Sequence, residues 1–165
     1  MENRRDLIPL VEAIIFASDK PISADKIAKY LEIEKEVIEE VIDFLMEYYK
    51  GNDNRGIEIK EVAEGFFFGT KNTFAPHLKK IVLGKEAQLS KSLMETLSII
   101  AFKQPITRAE IEHLRGVDSS NAIRGLLEKK LIKIVGRKDV PGRPHVYGTT
   151  KEFLLAFGLK NLSDL

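Results

Sequence analysis

Lys20-Pro21-Ile22-Ser23-Ala24-Asp25-Lys26-Ile27 and Gln104-Pro105-Ile106-Thr107-Arg108-Ala109-Glu110-Ile111 are two copies of one local signal, 84 residues apart. In each, a proline precedes an isoleucine, a hydroxyl residue and a short amphipathic run. Proline has no N–H and is excluded from helix interiors, so Pro21 and Pro105 mark the end of a preceding helix. Ser23 and Thr107 carry the side-chain oxygen that caps a new helix, and Glu110, three residues after Thr107, completes a capping box. Ile27 with Leu31, and Ile111 with Leu114, predict the buried stripe of that helix.

The same order of elements repeats outward from both copies. Leu10 to Ala17 and Leu93 to Phe102 predict a helix before each; Glu34 to Tyr49 and Ser119 to Lys130 predict one after. Val37, Val41, Ile42 and Leu45 in the first, and Ile123, Leu126 and Leu127 in the second, give that third helix its core face. Gly116 suits a helix C-terminus, and Asp118 or Ser119 can cap the helix that follows. Strand-like runs come next: Ile57 to Val62 and Phe66 to Thr70, then Ile132 to Val135 and His145 to Thr149. Ala63-Glu64-Gly65 predicts a tight turn, and Pro141-Gly142 a turn within a longer tip.

Three helices and a two-stranded hairpin make a winged helix. The expected fold class is therefore α+β, mostly helical, with two tandem winged-helix domains. The boundaries read as 1–84, a polar linker 85–92, and 93–165. Lys151 to Gly158 predicts a short closing helix, with Phe74 to Ile81 as its counterpart.

Composition narrows the function classes. The chain has 165 residues, 44% hydrophobic and 31% charged, which is the balance of a folded domain rather than a disordered one. With no cysteine, disulfides and thiolate zinc sites are excluded, and a reducing cytoplasm fits the composition. No apolar run approaches the roughly 20 residues that span a bilayer, and the N-terminus lacks the apolar core of a signal peptide. Charge is uneven: residues 1–88 hold 13 Lys/Arg against 17 Asp/Glu, and residues 89–165 hold 13 against 8. Only the second half has the charge to meet an anionic partner.

A winged helix commonly lays its third helix in the DNA major groove. The first copy is unsuited to this. Glu34, Glu36, Glu39, Glu40 and Asp43 face Lys35 alone, and such a helix repels phosphate. The second offers Arg124 on its third helix and Arg137, Lys138 and Arg143 on its wing, so a weak DNA contact there stays open, and a DNA-binding winged-helix transcriptional regulator is the alternative reading. Protein binding is the stronger expectation. In the run Phe66-Phe67-Phe68, neighbouring strand residues point to opposite faces, so one aromatic face falls outside the core of a single sheet. That face packs either beneath a loop of its own domain or against another chain. Tyr48 and Tyr49 pose the same choice. These five residues form the candidate dimer interface.

No catalytic or metal constellation is legible. His77, His113 and His145 fall in separate segments without HxH or HxxxH spacing. The glycines form neither GxxxxGK[ST] nor GxGxxG, and nothing marks a nucleophile elbow. The expectation is a non-enzymatic protein without cofactor or metal.

Longer strings carry a family resemblance. Lys103-Gln104-Pro105-Ile106-Thr107-Arg108-Ala109-Glu110-Ile111 with Arg115-Gly116-Val117, then Gly136-Arg137, Pro141-Gly142-Arg143-Pro144, Tyr147-Gly148-Thr149-Thr150 and Phe153-Leu154 with Phe157-Gly158-Leu159, resemble the segregation and condensation protein B (ScpB) family. Val11-Glu12-Ala13 and Phe74-Ala75-Pro76 extend the likeness more loosely into the first half. The resemblance implies a bacterial, cytoplasmic, nucleoid-associated subunit acting in chromosome condensation and partition during cell division. It implies dimerisation through the first winged helix, binding to the kleisin ScpA, and association through ScpA with the SMC ATPase, with no cofactor of its own. Arg108, Arg115, Arg137, Arg143, Tyr147, Phe153 and Phe157 become the candidate partner-binding residues. For the arginines two roles stay open: fixing the wing against the helices, or touching the kleisin.

Overall fold

A computed structural model describes residues 4–81 and 89–165, which fall into two compact units, Met1–Gly84 and Lys85–Leu165. Of the linker expected at 85–92, residues 85–88 lie outside the described residues, and Lys91 and Ser92 already belong to a helix.

The first unit runs α1 (Arg4–Ala17), α2 (Ala24–Leu31), α3 (Lys35–Lys50), β1 (Ile57–Val62), β2 (Gly65–Thr70), a 3-10 turn (Asn72–Phe74) and α4 (Ala75–Ile81). Leu7, Val11 and Ile15 recur every four residues along α1 and are buried against Ile27 of α2 and Ile38, Val41, Ile42 and Leu45 of α3. Each such side chain stabilises the unit by about 1.5–3 kcal/mol through the water it sheds. Ser23 caps α2 as expected, accepting from the Lys26 N–H. The wing is a two-stranded antiparallel hairpin pairing Ile59 with Phe68 and Lys60 with Phe67. Ala63 and Glu64 take positive φ at its tip, the twist a two-residue hairpin loop needs.

The second unit repeats the plan with α5 (Lys91–Lys103), β3 (Ile106–Thr107), α6 (Arg108–Arg115), α7 (Ser120–Glu128), β4 (Ile132–Arg137), β5 (His145–Thr149), α8 (Lys151–Phe157) and a closing 3-10 turn (Leu162–Asp164). Leu97, Ile100, Ile111, Ile123, Leu126, Ile132 and Phe153 form its core. The full capping box at Thr107 and Glu110 is present, and Gly116 ends α6 at φ 71. At α7 the cap comes from Asp118, which accepts from the Ser120 N–H at 3.1 Å, while the Ser119 side chain makes no capping bond.

Two expectations are corrected. The second sheet has three strands, in the order β3-β5-β4, where the sequence predicted a hairpin. The residues between α5 and α6 run extended beside β5, pairing Ile106 with Tyr147 and Thr107 with Val146. Two residues are too few for an alternating pattern to announce a strand. The first unit keeps a remnant of this seam in the Ile22–Phe66 bridge, so Phe66 occupies the place of Tyr147. The other correction is Leu114, which is 54% exposed although Ile111 is fully buried. In an eight-residue helix the core contacts a narrow stripe, and Leu114 falls beside it.

Close approach fixes glycine on β2 and on β5. A Cβ on Gly65 would meet Pro21 backbone at 2.9 Å; one on Gly148 would meet the Gln104 side-chain oxygen at 2.9 Å and Val135 at 3.0 Å. Val135 itself sits at the register shift between Ile134 and Gly136, a bulge that bends the second wing.

Candidate functional site

Much of the signature in the second unit is internal stitching. Gln104 donates to the Ala101 carbonyl at 3.0 Å, and its side-chain oxygen accepts from the Thr149 N–H at 2.7 Å and hydroxyl at 3.1 Å. It thereby ties the end of α5 to β5. Thr150 caps α8 through the Phe153 N–H at 3.1 Å and donates its hydroxyl to the Lys130 carbonyl at 2.6 Å. Arg115, only 7% exposed, reaches Ser119 at 3.1 Å, Ser92 at 3.1 Å and Glu95 at 3.3 Å, knotting α5, α6 and the start of α7 together.

Arg108 braces the turn between α6 and α7. It bonds Glu112 at 2.6 Å and Asp118 at 3.1 Å, while Glu112 also accepts from the Ser119 N–H at 3.1 Å. Glu112 raises the Arg108 pKa, and the Ser120 hydroxyl and N–H lower that of Asp118. Both Arg108 and Arg115 are thus committed to carboxylates of their own unit.

The second wing is held to α6 by one ion pair, Lys138 to Glu110. The other oxygen of Glu110 accepts from the Thr107 N–H at 2.8 Å and hydroxyl at 2.7 Å. The Lys138 ammonium first, and the Thr107 donors after it, hold the Glu110 pKa down at about 2. Arg137 donates to the Arg143 carbonyl at 3.3 Å, and Arg124 to Asn121 at 2.8 Å. Arg143 is exposed, and among the described residues its guanidinium has no bonded partner. Tyr147 is half-buried in the central strand.

Two apolar depressions flank these residues, and neither was read from the sequence. The larger, about 510 Å³, lies along α6 and is lined by Lys103, Pro105, Ile106, Ala109, Glu110, His113 and Leu114. Ala109 with His113, and Glu110 with Leu114, are i, i+4 pairs forming its wall; in sequence the second pair reads as a cap and a core stripe instead. The smaller, about 140 Å³, lies between α5 and α8. Phe153, 3% exposed, forms its floor, with the Phe157 ring tilted against it at a centroid distance of 4.9 Å and 41% exposed beside Met94 and Phe102. Phe153 is therefore a core residue that supports Phe157.

In the first unit the aromatic candidates separate. Tyr49 is 8% exposed, and its hydroxyl donates to the Glu12 carboxylate. That bond, with burial behind it, pushes the Tyr49 pKa up to about 12. Phe66 and Phe68 pack on the core, and Phe67, half-buried on the other face, lies across from Lys60. Rings follow one another from Phe16 to Phe68, Tyr49, Tyr48 and Phe44 at centroid distances of 5.0 to 6.4 Å. Phe16, Phe44 and Tyr48 are the exposed members of this string. Phe16 and Phe44 went unnoticed because each stands alone in sequence. On the neighbouring acidic face, Lys35 of α3 is paired with Asp25 and Glu39.

Among the described residues no cluster of three or more His, Cys, Asp or Glu side chains could hold a metal, and no helix is long and apolar enough to cross a membrane.

A family model described as the segregation and condensation complex subunit ScpB matches residues 9–165. Segregation and condensation protein B of Bacillus cereus (strain ATCC 10987 / NRS 248) is 44% identical over 167 residues, covering 99% of this chain and 86% of the relative. That of Bacillus subtilis (strain 168) is 43% identical over 157 residues, covering 94% and 79%. A solved dimer of the ScpB N-terminal domain complexed with an ScpA peptide is similar at 33% identity and a TM-score of 0.45, covering 51% of this chain and 97% of that one.

Proposed function

The chain belongs to the ScpB family of segregation and condensation complex subunits, and from that premise we propose that it is a non-enzymatic subunit of a condensin-like SMC–kleisin complex. In this reading it acts in chromosome condensation and partition during cell division, in the cytoplasm at the nucleoid. It binds the kleisin ScpA as a homodimer and meets the SMC ATPase through ScpA. The observation that carries the proposal is the family match running through both units from residue 9 to residue 165.

The two units divide the work. The exposed aromatic string of the first, Phe16, Phe44 and Tyr48, supports dimerisation there, with buried Tyr49 and half-buried Phe68 as its links, Phe66 packed on the core and Phe67 on the opposite face of the hairpin. The second presents the α6 groove and the Met94–Phe102–Phe157 patch to the kleisin, with Tyr147, Arg137 and Arg143 at the wing. Arg108 and Arg115 act as scaffold, since a guanidinium already paired gains little by exchanging one carboxylate for another. Specific DNA reading is disfavoured: Lys138 is neutralised by Glu110, leaving Arg124 on α7 and Arg137 and Arg143 on the wing to displace counterions.

Light scattering of the pure protein with and without the central segment of ScpA tests this. The expected result is a dimer that gains the mass of the segment. A monomer at high concentration, or a dimer that ignores the segment, refutes it. Phe44→Glu should shift the dimer toward monomer without lowering helical content.

A further inference from the structure

Arg143 is held in a backbone conformation that its residue type and its neighbour both resist. Its φ is +39°, in the left-handed region that favours glycine. It also precedes Pro144, and a following proline favours extended backbone. The other non-glycine residues with positive φ have local reasons: Glu32 and Lys130 follow helices, and Ala63 and Glu64 form a hairpin turn. Arg143 is fixed by three bonds instead. Its N–H donates to the Val140 carbonyl at 2.9 Å, closing a turn in which Gly142 takes φ 84. Arg137 donates to its carbonyl at 3.3 Å, and the Lys138 N–H donates to the Pro144 carbonyl at 2.9 Å. Strain retained at an over-determined position is a mark of function, because substitution to glycine would remove it.

The tip so constrained exposes one uncommitted guanidinium next to an apolar residue, Val140, which is 41% exposed. Its other cations are engaged, Lys138 with Glu110 and Arg137 with the Arg143 carbonyl, and Asp139 adds a negative charge. DNA affinity grows with the number of phosphates neutralised, and this tip offers only Arg137 and Arg143 as unneutralised cations, beside the anion Asp139. A guanidinium matches a carboxylate through two parallel hydrogen bonds and needs only one partner. We propose that Arg143 is a preformed receptor for a carboxylate of a protein partner, and that Arg137 is its positioning residue. This rests on the reading that the second unit binds the kleisin.

The test measures affinity of the full chain for the central segment of ScpA, with each Asp and Glu of the segment changed in turn to Asn or Gln. Arg143→Gln and Arg143→Gly should each weaken binding about 10- to 100-fold. One carboxylate of the segment should show the same loss, with no further loss when combined with Arg143→Gln. Arg143→Gly should raise the thermal midpoint, since it relieves the backbone, which a purely structural arginine would not do. Arg137→Met should weaken binding and Arg137→Lys, which can still donate to the carbonyl, should restore most of it. Affinity for a duplex of about 20 base pairs should be the same for wild type and Arg143→Gln. Arg143 variants that bind the segment as wild type does overturn the receptor and leave the kleisin reading standing. A loss confined to the duplex overturns it in favour of phosphate. A wild-type chain that ignores the segment sinks both.

Discussion

Replacing Gln104 by leucine keeps the side chain's bulk and removes three hydrogen bonds at once. The Thr149 N–H loses its acceptor at 2.7 Å, the Thr149 hydroxyl loses one at 3.1 Å, and the Ala101 carbonyl loses its donor at 3.0 Å. The hydroxyl can rotate, and a carbonyl near a helix end can find water. The strand N–H has the least freedom, and an orphaned donor costs about 1–3 kcal/mol. Gln104 is half-buried, so some water reaches the site, and a total of about 2 kcal/mol is expected. For a unit of this size that lowers the midpoint of its thermal transition by roughly 8–16 °C. Circular dichroism reads the midpoint, and hydrogen exchange at the Thr149 amide reads the bond itself. Gln104→Glu should fall between, since it keeps the acceptor for Thr149 but sets a carboxylate against the Ala101 carbonyl. At temperatures where the variant is folded its affinity for ScpA should be unchanged. A Gln104→Leu midpoint within about 0.5 kcal/mol of wild type, with Thr149 protection intact, would refute the reasoning.

Gly148→Ala should cost about 1–3 kcal/mol in chemical denaturation, because the new methyl must displace Gln104 or Val135; a neutral result contradicts the packing described. Glu110 has a pKa depressed from 4.5 to about 2, so its contribution is complete above pH 4.5 and is lost as pH falls toward 2. Lys138→Met should move the Glu110 carboxyl midpoint upward in an NMR titration, and an unmoved midpoint would mean the wing is not tied there. Tyr49 has a pKa raised from 10.0 to about 12, so its contribution is complete below pH 10 and is lost as pH rises toward 12. Tyr49→Phe should cost about 1–2 kcal/mol at neutral pH and flatten that alkaline loss in denaturation curves; equal slopes would count against the Glu12 bond.

The repeat made the fold legible because its signals are chemically narrow. A proline followed two residues on by a capping hydroxyl fixed the spacing of both units, and Ser23 and Thr107 cap where they were expected to; proline alone would have misled, since Pro9 lies inside α1. The short strand at Ile106 escaped because its extended shape is imposed by β5 rather than by its own pattern. Surfaces were less legible than cores for a related reason. Leu114 is chemically indistinguishable from a core leucine, and only the length of α6 turns it outward. The arginines showed the reverse problem. Arg115 looked like a contact residue, and its carboxylate lies 20 positions back in sequence at Glu95, where no local reading would pair them.

The stitching of the second unit bears on how such a chain can change over time. Gln104 touches Thr149, Gly148 has room only for what Gln104 leaves, and Arg115 binds three segments at once. A substitution at any one of them must be answered at another, so these positions drift slowly whatever the surface meets. Met94, Phe102 and Phe157 answer to no such neighbours on their exposed sides and can follow a partner as it diverges. Lineages that exchange partners should therefore differ first along α5 and α8, and grafting those outward residues from one relative to another should transfer preference while the unit still folds.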